Sequence, residues 1–329
     1  MSSILILGGA GYIGSHTARY FKDRGRELVV YDNLSTGFRD SVKNITFVEG
    51  DLHDTRGLER VMERHRVDAV IHFAAFSQVG ESMVNPEKYY YNNLAGTLSV
   101  LRAMVNQQVQ NIVFSSTAAV YGDPARIPIV ETADKKPKNI YGKTKLIIEN
   151  ILKDYEEPYG IRSVCLRYFN AAGAHPDATI GESHRPESHL IPLVLQAALG
   201  QRDHLDIFGD DYETPDGTCI RDYIHVMDLA DAHYRALEHL QRGGASAAYN
   251  LGNGSGFSVR QVIEAARYVT GREIRAEVKP RRAGDPAILI ASSDRISREL
   301  GWQPKMPELD RIIATAWEWH RTHPDGYER

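Results

Sequence analysis

The feature that most constrains the fold is a short apolar run that leads directly into a glycine-rich turn. Ile4–Leu7 is followed by GGAGYIG and then by a helical pattern over Ile13–Arg24. In such a strand–turn–helix unit Gly8 permits the tight turn, Gly11 lets the backbone approach a pyrophosphate, and Gly14 lets helix and strand pack closely. The phosphates then face the helix N-terminus. The sequence therefore predicts a Rossmann-type dinucleotide-binding unit at its start.

The rest of the first half alternates short β-branched runs with longer helical patterns. Further strands are predicted at Leu28–Tyr31, Ile45–Val48, Ala69–Phe73 and Ile112–Ser115, and further helices at Thr55–Arg64, Glu87–Asn106 and Gly142–Glu156. Strands that are apolar on both faces belong in a parallel sheet with helices on each side. The predicted fold class is therefore α/β, with a doubly wound parallel sheet.

After about residue 170 the sequence becomes rich in Gly, Pro, His and Asp, which is typical of a loop-rich substrate lobe. We expect a Rossmann domain over residues 1–170 and a smaller C-terminal α/β substrate-binding lobe over residues 171–329. A strand pattern at Arg221–His225 passes into a helical pattern at Val226–Leu240. Segments around residues 219–242 are therefore expected to return to the first sheet.

Composition argues against several classes of protein. The 329 residues carry a formal charge of −4 without basic runs, which disfavours nucleic-acid binding. Two cysteines outside any CxxC spacing, no signal-peptide core and no long apolar run predict a cytoplasmic protein without membrane contact. Among thirteen histidines, His175, His184 and His189 fall in a polar stretch without HExxH or paired Cys/His spacing, so no metal is expected.

An acidic residue at the end of the second strand selects the dinucleotide. Asp32 lies eighteen positions beyond Gly14, where its carboxylate can accept hydrogen bonds from the adenosine ribose. A 2′-phosphate there would be repelled, and the next residue, Asn33, brings no compensating charge. We therefore expect NAD rather than NADP. Asp51, after the third strand, can contact the adenine amino group, although taken alone it fits a loop or helix-capping role better.

A tyrosine and a lysine near the end of the Rossmann half have the spacing of a reacting pair. Tyr141 and Lys145 are four residues apart and share one helix face. A tyrosinate near neutral pH needs its pKa lowered by roughly three units, which Lys145 and an oxidised nicotinamide can supply together. The fifth strand ends in Ser115, Ser116 and Thr117, and Thr117 can relay a proton to Tyr141.

Eight segments, which together run nearly end to end, resemble the extended short-chain dehydrogenase/reductase superfamily and, within it, the UDP-glucose 4-epimerases. They are GGAGYIGSH (8–16), HFAAFSQVGES (72–82), YYNNLAGT (90–97), FSSTAAVYGD (114–123), YGKTK (141–145), RYFNAAGAHP (167–176), RDYIHVMDLADAH (221–233) and RRAGDPA (281–287). The resemblance implies reversible C4 epimerisation of UDP-galactose and UDP-glucose. The route is a 4-keto sugar, with transient hydride transfer to tightly held NAD+.

The resemblance also implies roles for individual residues. The catalytic group is Tyr141, Lys145, Thr117 and Ser116. Cofactor contacts fall on Gly8, Gly11, Tyr12, Ile13, Gly14, Asp32, Asn33, Asp51, Leu52, Phe73, Ala74, Asn93, Ser115, Tyr141, Lys145 and Tyr168. Contacts to a UDP-hexose fall on Thr117, Tyr141, Asn170, His189, Leu190, Phe208, Arg221, Tyr223, Arg282, Asp285 and Leu289. Members of the family pair the helices predicted at Glu87–Asn106 and Gly142–Glu156 in a homodimer, which we expect here.

Other functions are weighed against this one. A sugar-nucleotide 4,6-dehydratase shares the oxidation step but carries an acid–base pair where this chain has Ala118 and Ala119. Leu289 stands where bulk discriminates against N-acetylated sugars, and its intermediate size leaves a UDP-N-acetylhexosamine 4-epimerase open. Ser77 and His189 also depart from residues found in some family members. A non-enzymatic NAD-sensing protein is disfavoured by the intact Thr117, Tyr141 and Lys145.

Overall fold

A seven-stranded parallel sheet forms the centre of the computed structural model, which describes residues 2–282 and 285–328. Residues 283 and 284 of the RRAGDPA segment thus lie outside the described residues. The described strands are, in chain order, β1 (Ser3–Leu7), β2 (Leu28–Asp32), β3 (Thr46–Glu49), β4 (Val67–His72), β5 (Asn111–Ser115), β6 (Arg162–Tyr168), β7 (Asn170–Ala172), β8 (Leu205–Phe208), β9 (Ile220–Arg221), β10 (Tyr223–His225), β11 (Ala247–Leu251), β12 (Phe257–Ser258), β13 (Ala276–Lys279) and β14 (Ile288–Leu289).

The order of the large sheet is β11-β6-β5-β4-β1-β2-β3. The chain therefore builds outward from β1 in one direction through β2 and β3, and then returns to place β4 on the other side of β1. The point where the strand order reverses opens a crevice at the carboxyl ends of β1 and β4, which is where open α/β sheets bind ligands. The doubly wound Rossmann-type fold is confirmed.

Helices cover both faces of this sheet. They are α1 (Tyr12–Lys22), α2 (Thr55–Arg64), α3 (Val79–Val84), α4 (Pro86–Tyr89), α5 (Gly96–Asn106), α6 (Ile140–Asp154), α7 (Glu156–Tyr159), α8 (Leu190–Ala198), α9 (Val226–Gln241), α10 (Val259–Thr270), α11 (Asp294–Leu300) and α12 (Leu309–Thr322). Short 3₁₀ turns lie at Arg39–Val42 and Ala118–Tyr121, and a π-helical turn lies at Tyr90–Ala95. No helix in this described part of the chain is long and apolar enough to cross a bilayer.

The two cores follow from the alternation of side chains along buried strands. Ile4 and Ile6 of β1 face one cluster, which is completed by apolar residues of α1 and α9. Leu5 and Leu7 face the opposite cluster, which is completed by α2, α5 and α6. Every residue of β1 is buried, so neither face of this strand is exposed to solvent, as expected of a parallel sheet covered on both sides.

The long helix predicted at Glu87–Asn106 is interrupted. The structure instead has α4, the π-helical turn Tyr90–Ala95 and α5. The wider turn includes Asn93, whose side-chain amide binds both backbone polar groups of Phe76. Single π-turns of this kind are frequently found at functional sites, and apolar periodicity carries no signal for them.

The C-terminal half both builds a second lobe and completes the first sheet. Small sheets β10-β7, β12-β9-β14 and β13-β8 surround a separate apolar core contributed by α8, α10 and α12. Of the segment 219–242, helix α9 packs on the large sheet, whereas β9 and β10 pair within the second lobe. The strand that joins the large sheet is β11, beside β6, which lies beyond the predicted range. The domain boundary at residue 170 remains a prediction.

Substitution of Gly14 by alanine should destabilise the whole first domain. A Cβ at Gly14 would lie 2.3 Å from the Gly8 carbonyl oxygen, so strand and helix would have to separate. Overpacking of this kind reduces the free energy of unfolding by about 1–3 kcal/mol. Thermal or urea unfolding of Gly14→Ala measures the loss. Gly80→Ala is the matched control, because no atom lies within 4 Å of its Cβ position in α3, and equal stability of both variants would contradict the argument.

Candidate active site

The glycine-rich turn lies at the carboxyl end of β1 and begins the crevice. Gly8 has a φ of +72°, and a Cβ there would lie 2.5 Å from the backbone nitrogen of Ala74 in the loop after β4. Gly11 caps the N-terminus of α1, and the nearest atom to its Cβ position is 3.4 Å away. The turn thus brings the β1 and β4 loops together while leaving a helix N-terminus open. Tyr12 and Ile13 are the first residues of that helix, so their backbone N–H groups lie at its N-terminus, where an anion can bind.

Asp32 is fixed at the end of β2 by two backbone donors. Its carboxylate accepts from the Ala10 nitrogen at 2.9 Å and from the Leu34 nitrogen at 2.8 Å. Burial raises the pKa of Asp32, and these two hydrogen bonds oppose the increase. The glycine turn and the acidic residue are therefore joined through Ala10. The remaining oxygen lone pairs can accept from the two ribose hydroxyls.

Asn33 and Asp51 meet across the ends of β2 and β3. The Asn33 amide donates to Asp51 at 2.9 Å, and the backbone nitrogen of His53 donates to the other Asp51 oxygen at 2.9 Å. Burial acts to raise the pKa of Asp51, but these hydrogen bonds outweigh it and the net pKa is lowered. Leu52 is buried beneath them. This group forms a polar rim at the ends of β2 and β3, where the sequence predicts the adenine.

The loop after β4 closes the middle of the crevice. Phe73 and Ala74 both donate their backbone N–H to the Leu7 carbonyl, which holds the loop against β1. Asn93 is buried, and its amide binds Phe76 and the Thr144 hydroxyl. The predicted contact of Asn93 with the cofactor is therefore indirect, because its polar atoms position the loop rather than face the crevice.

Tyr141 and Thr117 are brought together by the start of α6. The Asn139 side chain caps this helix by accepting from the Gly142 nitrogen at 2.7 Å. A Cβ at Gly142 would lie 2.7 Å from the Ala119 carbonyl oxygen, so only glycine lets α6 approach the turn that follows Thr117. Burial raises the pKa of Tyr141, and a hydrogen bond with the Thr117 hydroxyl opposes part of that increase. The tyrosine–threonine pair predicted from sequence is therefore present.

Burial dominates the ionisation of the reacting pair in the protein without ligand. It raises the pKa of Tyr141 to about 12, against the smaller effect of Thr117. It also lowers the pKa of Lys145 to about 7. The Lys145 ammonium lies 5.9 Å from the centre of the Tyr141 ring and donates to the Ser115 carbonyl at 2.8 Å. The lysine alone thus does not produce the tyrosinate that the sequence predicts, and a further positive charge is needed.

The hydroxyls of Ser115 and Ser116 point in different directions. Ser115 hydrogen-bonds the Tyr168 hydroxyl, so these two predicted cofactor contacts are adjacent. Ser116 instead donates to Glu149 at 2.5 Å, inside a buried network in which Glu149 pairs with Arg167. This position does not support the predicted catalytic role of Ser116. Sequence reasoning missed Glu149 and Arg167, although Glu149 lies one helical turn after Lys145.

Several predicted substrate residues converge in the second lobe. Arg221 pairs with Asp285, and its neighbour in the parallel ladder is Leu289. The Arg282 guanidinium stacks 3.9 Å from the centre of the Phe208 ring. Leu289 packs against the cluster that contains the turn Ala118–Tyr121, directly after Thr117. Of these predicted substrate residues, Leu289 thus links Arg221 to the turn that follows Thr117.

Four other predicted substrate contacts are placed differently. Tyr223 is 5% exposed and packs in the apolar core of the second lobe. Asn170 donates to the Asp222 carbonyl at 2.9 Å, which ties β7 to the strand region that bears Arg221. Leu190 begins α8, whereas His189 turns its Nδ1 toward Glu187 at 2.9 Å. Only the backbone or the Nε2 atom of His189 therefore remains for a contact with the UDP-hexose.

These residues fit an NAD molecule. The open helix N-terminus suits a pyrophosphate, Asp32 suits a ribose diol, and the buried Lys145 beside Ser115 suits the nicotinamide ribose. The carboxylate of Asp32 also opposes a 2′-phosphate. The fit is therefore to NAD rather than NADP.

Comparison with known proteins agrees with this geometry. A UDP-glucose 4-epimerase of Halalkalibacterium halodurans is 56% identical over 325 residues, which cover 99% of this chain and 97% of the relative. A crystal structure of a UDP-glucose 4-epimerase superposes with a TM-score of 0.98 at 53% identity, covering 100% of both chains. The Brucella ovis UDP-glucose 4-epimerase in complex with NAD superposes with a TM-score of 0.95 at 50% identity, covering 96% of this chain and 98% of that one.

Residues 4–252 match the model of the NAD dependent epimerase/dehydratase family. This stretch contains the whole seven-stranded sheet except Ser3 at the start of β1, and it includes Tyr141 and Lys145. The chain therefore belongs to the NAD-dependent epimerase/dehydratase family.

Proposed function

We propose that the chain is an NAD-dependent isomerase that interconverts UDP-galactose and UDP-glucose at C4. The observation that carries the proposal is the placement of Tyr141 and Thr117 beside Lys145, at the crevice edge shared with the second lobe. A proton-transfer group and a cofactor crevice thus face the same space. The curated relatives of this identity act on UDP-glucose, which supports the same substrate here.

Bound NAD+ supplies a reversible hydride acceptor for the sugar C4. Tyr141 takes the proton of the C4 hydroxyl as the 4-keto sugar forms. It returns that proton after the keto sugar has rotated to present the other face of C4. Thr117 hydrogen-bonds the phenolate, because its own hydroxyl oxygen already accepts from Ala119 and its proton is free to donate. Lys145 holds the nicotinamide ribose and adds positive charge.

The UDP moiety is held by the second lobe. Arg221 and Arg282 supply two guanidinium groups for the diphosphate, and Phe208 offers a ring face to the uracil. Asp285 holds Arg221 in place and can accept from a ribose hydroxyl. Anchoring through the diphosphate leaves the hexose free to rotate about its bond to phosphate, as presentation of both faces of C4 requires.

The residues after Thr117 favour epimerisation over dehydration. Elimination of water needs a further acid and base, and the positions that follow Thr117 are Ala118, which is 2% exposed, and Ala119. A UDP-N-acetylhexosamine activity is the second candidate. Leu289 packs beside the Ala118–Tyr121 turn, and a side chain of this size leaves more space next to the hexose than a tyrosine at the same position would.

A homodimer in the cytoplasm is part of the proposal. Tyr91 in the π-helical turn is 62% exposed and Leu98 of α5 is 40% exposed, on the helical region that packs against α6. Such apolar exposure on adjacent helices suits a second copy of the chain. The two unpaired cysteines suit a reducing compartment.

Replacement of Tyr141 by phenylalanine should abolish turnover while NAD stays bound. The purified protein should convert UDP-galactose to UDP-glucose without added cofactor, and Tyr141→Phe should reduce kcat by about 10²–10⁴-fold because the proton has no acceptor. Tyr159→Phe is the matched control, because this tyrosine is 49% exposed and lies at the end of the short helix α7. Unchanged turnover of Tyr141→Phe would overturn the mechanism. A parallel assay with UDP-N-acetylgalactosamine gives the specificity.

Binding of NAD+ should lower the pKa of Tyr141. In the protein without ligand, burial raises the pKa of Tyr141 to about 12. A nearby nicotinamide cation stabilises the phenolate, so the pH at which half of the Tyr141 side chains are ionised is lowered. The ultraviolet difference spectrum of tyrosinate, taken as wild type minus Tyr141→Phe, measures the midpoint with and without NAD+. NADH, which lacks the ring charge, is the control ligand. Equal midpoints with NAD+ and NADH would contradict the electrostatic argument.

A charge on the exposed face of α5 should dissociate the dimer. Light scattering should give the mass of two chains for the wild type and of one chain for Leu98→Glu, because a carboxylate in an apolar interface lacks a partner. Tyr268→Glu on α10 is the control, since Tyr268 is 81% exposed on another face. A single-chain mass for the wild type at micromolar concentration would refute the dimer.

A further inference from the structure

Two histidines and two glutamates converge in the loop between β7 and α8. The tripeptide Glu-Ser-His occurs twice there, at residues 182–184 and 187–189. The structure folds the two copies against each other, so that the four ligand atoms of Glu182, His184, Glu187 and His189 all lie within 4.8 Å of one another. The epimerase mechanism uses none of the carboxylates. No metal was predicted from the sequence, because the histidines lack HExxH and paired Cys/His spacings, and those patterns do not include glutamate ligands.

The distances within this group are close to, and mostly slightly shorter than, the edges of a coordination tetrahedron. Glu182 Oε1 lies 3.1 Å from His184 Nδ1 and 3.0 Å from His189 Nδ1. Glu187 lies 3.6 Å from His184 Nδ1 and 2.9 Å from His189 Nδ1. Ligands about 2.0–2.2 Å from a zinc ion are separated by about 3.3–3.6 Å in a tetrahedron, so a small inward or outward shift accommodates the ion.

The His184 ring lies within ion-pair distance of both carboxylates, but its Nδ1 is poorly aligned with them. His184 Nδ1 is buried and has no hydrogen-bond partner, although Glu182 Oε1 lies only 3.1 Å away. The nitrogen is thus close to a carboxylate without being aligned with it. A buried ring nitrogen without a partner is unfavourable unless another group occupies the space that it faces.

The surroundings hold the four side chains in place. Glu182 and Glu187 have side chains only 5% and 6% exposed. The Glu182 carbonyl accepts from the Trp319 indole at 3.0 Å, and the adjacent Gly181 nitrogen donates to the Tyr327 hydroxyl. Two buried carboxylates need compensating positive charge, which either two protonated histidines or a divalent cation bound by neutral histidines supplies, and the metal content of the protein distinguishes the two states.

We propose that Glu182, His184, Glu187 and His189 form a structural Zn²⁺ site. Two imidazoles and two carboxylates are a ligand set that zinc accepts, and four protein ligands leave no open position, which separates a structural site from a catalytic one. The ion ties the 182–189 loop to itself directly before α8. It also accounts for the direction of the His189 Nδ1 atom toward Glu187.

The site has a consequence for the substrate. Leu190 follows His189 and is the first residue of α8, and it is a predicted UDP-hexose contact. The His184 ring meets the Tyr12 ring edge-on, with the ring centres 6.3 Å apart, at the start of α1. A cation at this point therefore fixes a loop that borders both the cofactor turn and the substrate lobe, without touching the reacting atoms.

Metal content and a spectroscopic probe test the site in the intact, NAD-containing protein. Mass spectrometry of metals should find about one zinc per chain after gel filtration. Removal of zinc with a chelator and addition of Co²⁺ should give the intense visible absorption of tetrahedral cobalt, and Zn²⁺ should abolish it. A wild-type protein that holds no zinc and gives only the weak spectrum of hydrated Co²⁺ would overturn the proposal.

Variants locate the ion. Glu182→Gln and His184→Ala should each weaken zinc binding by more than about 100-fold, since loss of a direct ligand exceeds the 10–100-fold effect of losing an outer partner. His204→Ala is the matched control, because His204 lies with Asp206 and Glu277 in a second, more exposed group of such residues. Zinc retained in Glu182→Gln but lost in His204→Ala would move the site and refute the assignment. Bound NAD and circular dichroism report folding, and the cobalt titration of the wild type stands without any variant.

Discussion

The close approach of β1, α1 and the loop after β4 is the constraint on which the rest of the structure depends. Gly8 meets Ala74 on one side, and Gly14 packs against the Gly8 carbonyl on the other, with no room for a Cβ at either position. The crevice exists because these three backbones touch at the point where the strand order reverses. Asp32 reaches the same turn through Ala10, so cofactor selectivity and sheet topology share one set of contacts.

A second close approach sets the chemistry. Gly142 allows α6 to lie against the turn after Thr117, and this contact places Tyr141, Thr117 and Lys145 in one dry space. Burial disfavours both the phenolate and the ammonium there. Since each charge is unfavourable alone, the reactive state requires a bound cation beside the tyrosine. The nicotinamide ring of an oxidised cofactor would supply that positive charge.

The sequence predicted those parts of the fold and site that depend on local pattern. The five predicted strands, β1 to β5, were located within two residues at each end, because apolar runs bounded by turn residues leave little choice, whereas β6 was not predicted. The break in the helix at Tyr90–Ala95 and the addition of β11 to the sheet were missed, since both depend on contacts between distant segments. Ser116 shows the same limit, because only the folded structure shows that Ser115, the last residue of β5, meets Tyr168, whereas Ser116, directly after it, meets Glu149.

The second lobe illustrates why function needs the folded chain. Arg221, Asp285 and Leu289 are separated by up to 68 positions, yet the β9–β14 ladder places the first and last side by side. The Glu-Ser-His repeat is local in sequence, but only the folded loop turns both copies inward. A loop held at Glu182 by Trp319 and closed on itself by a cation presents α8 at a fixed angle. Such a scaffold can bind the diphosphate firmly while the hexose turns, because rigidity at the anchor and freedom at the reacting sugar reside in different segments.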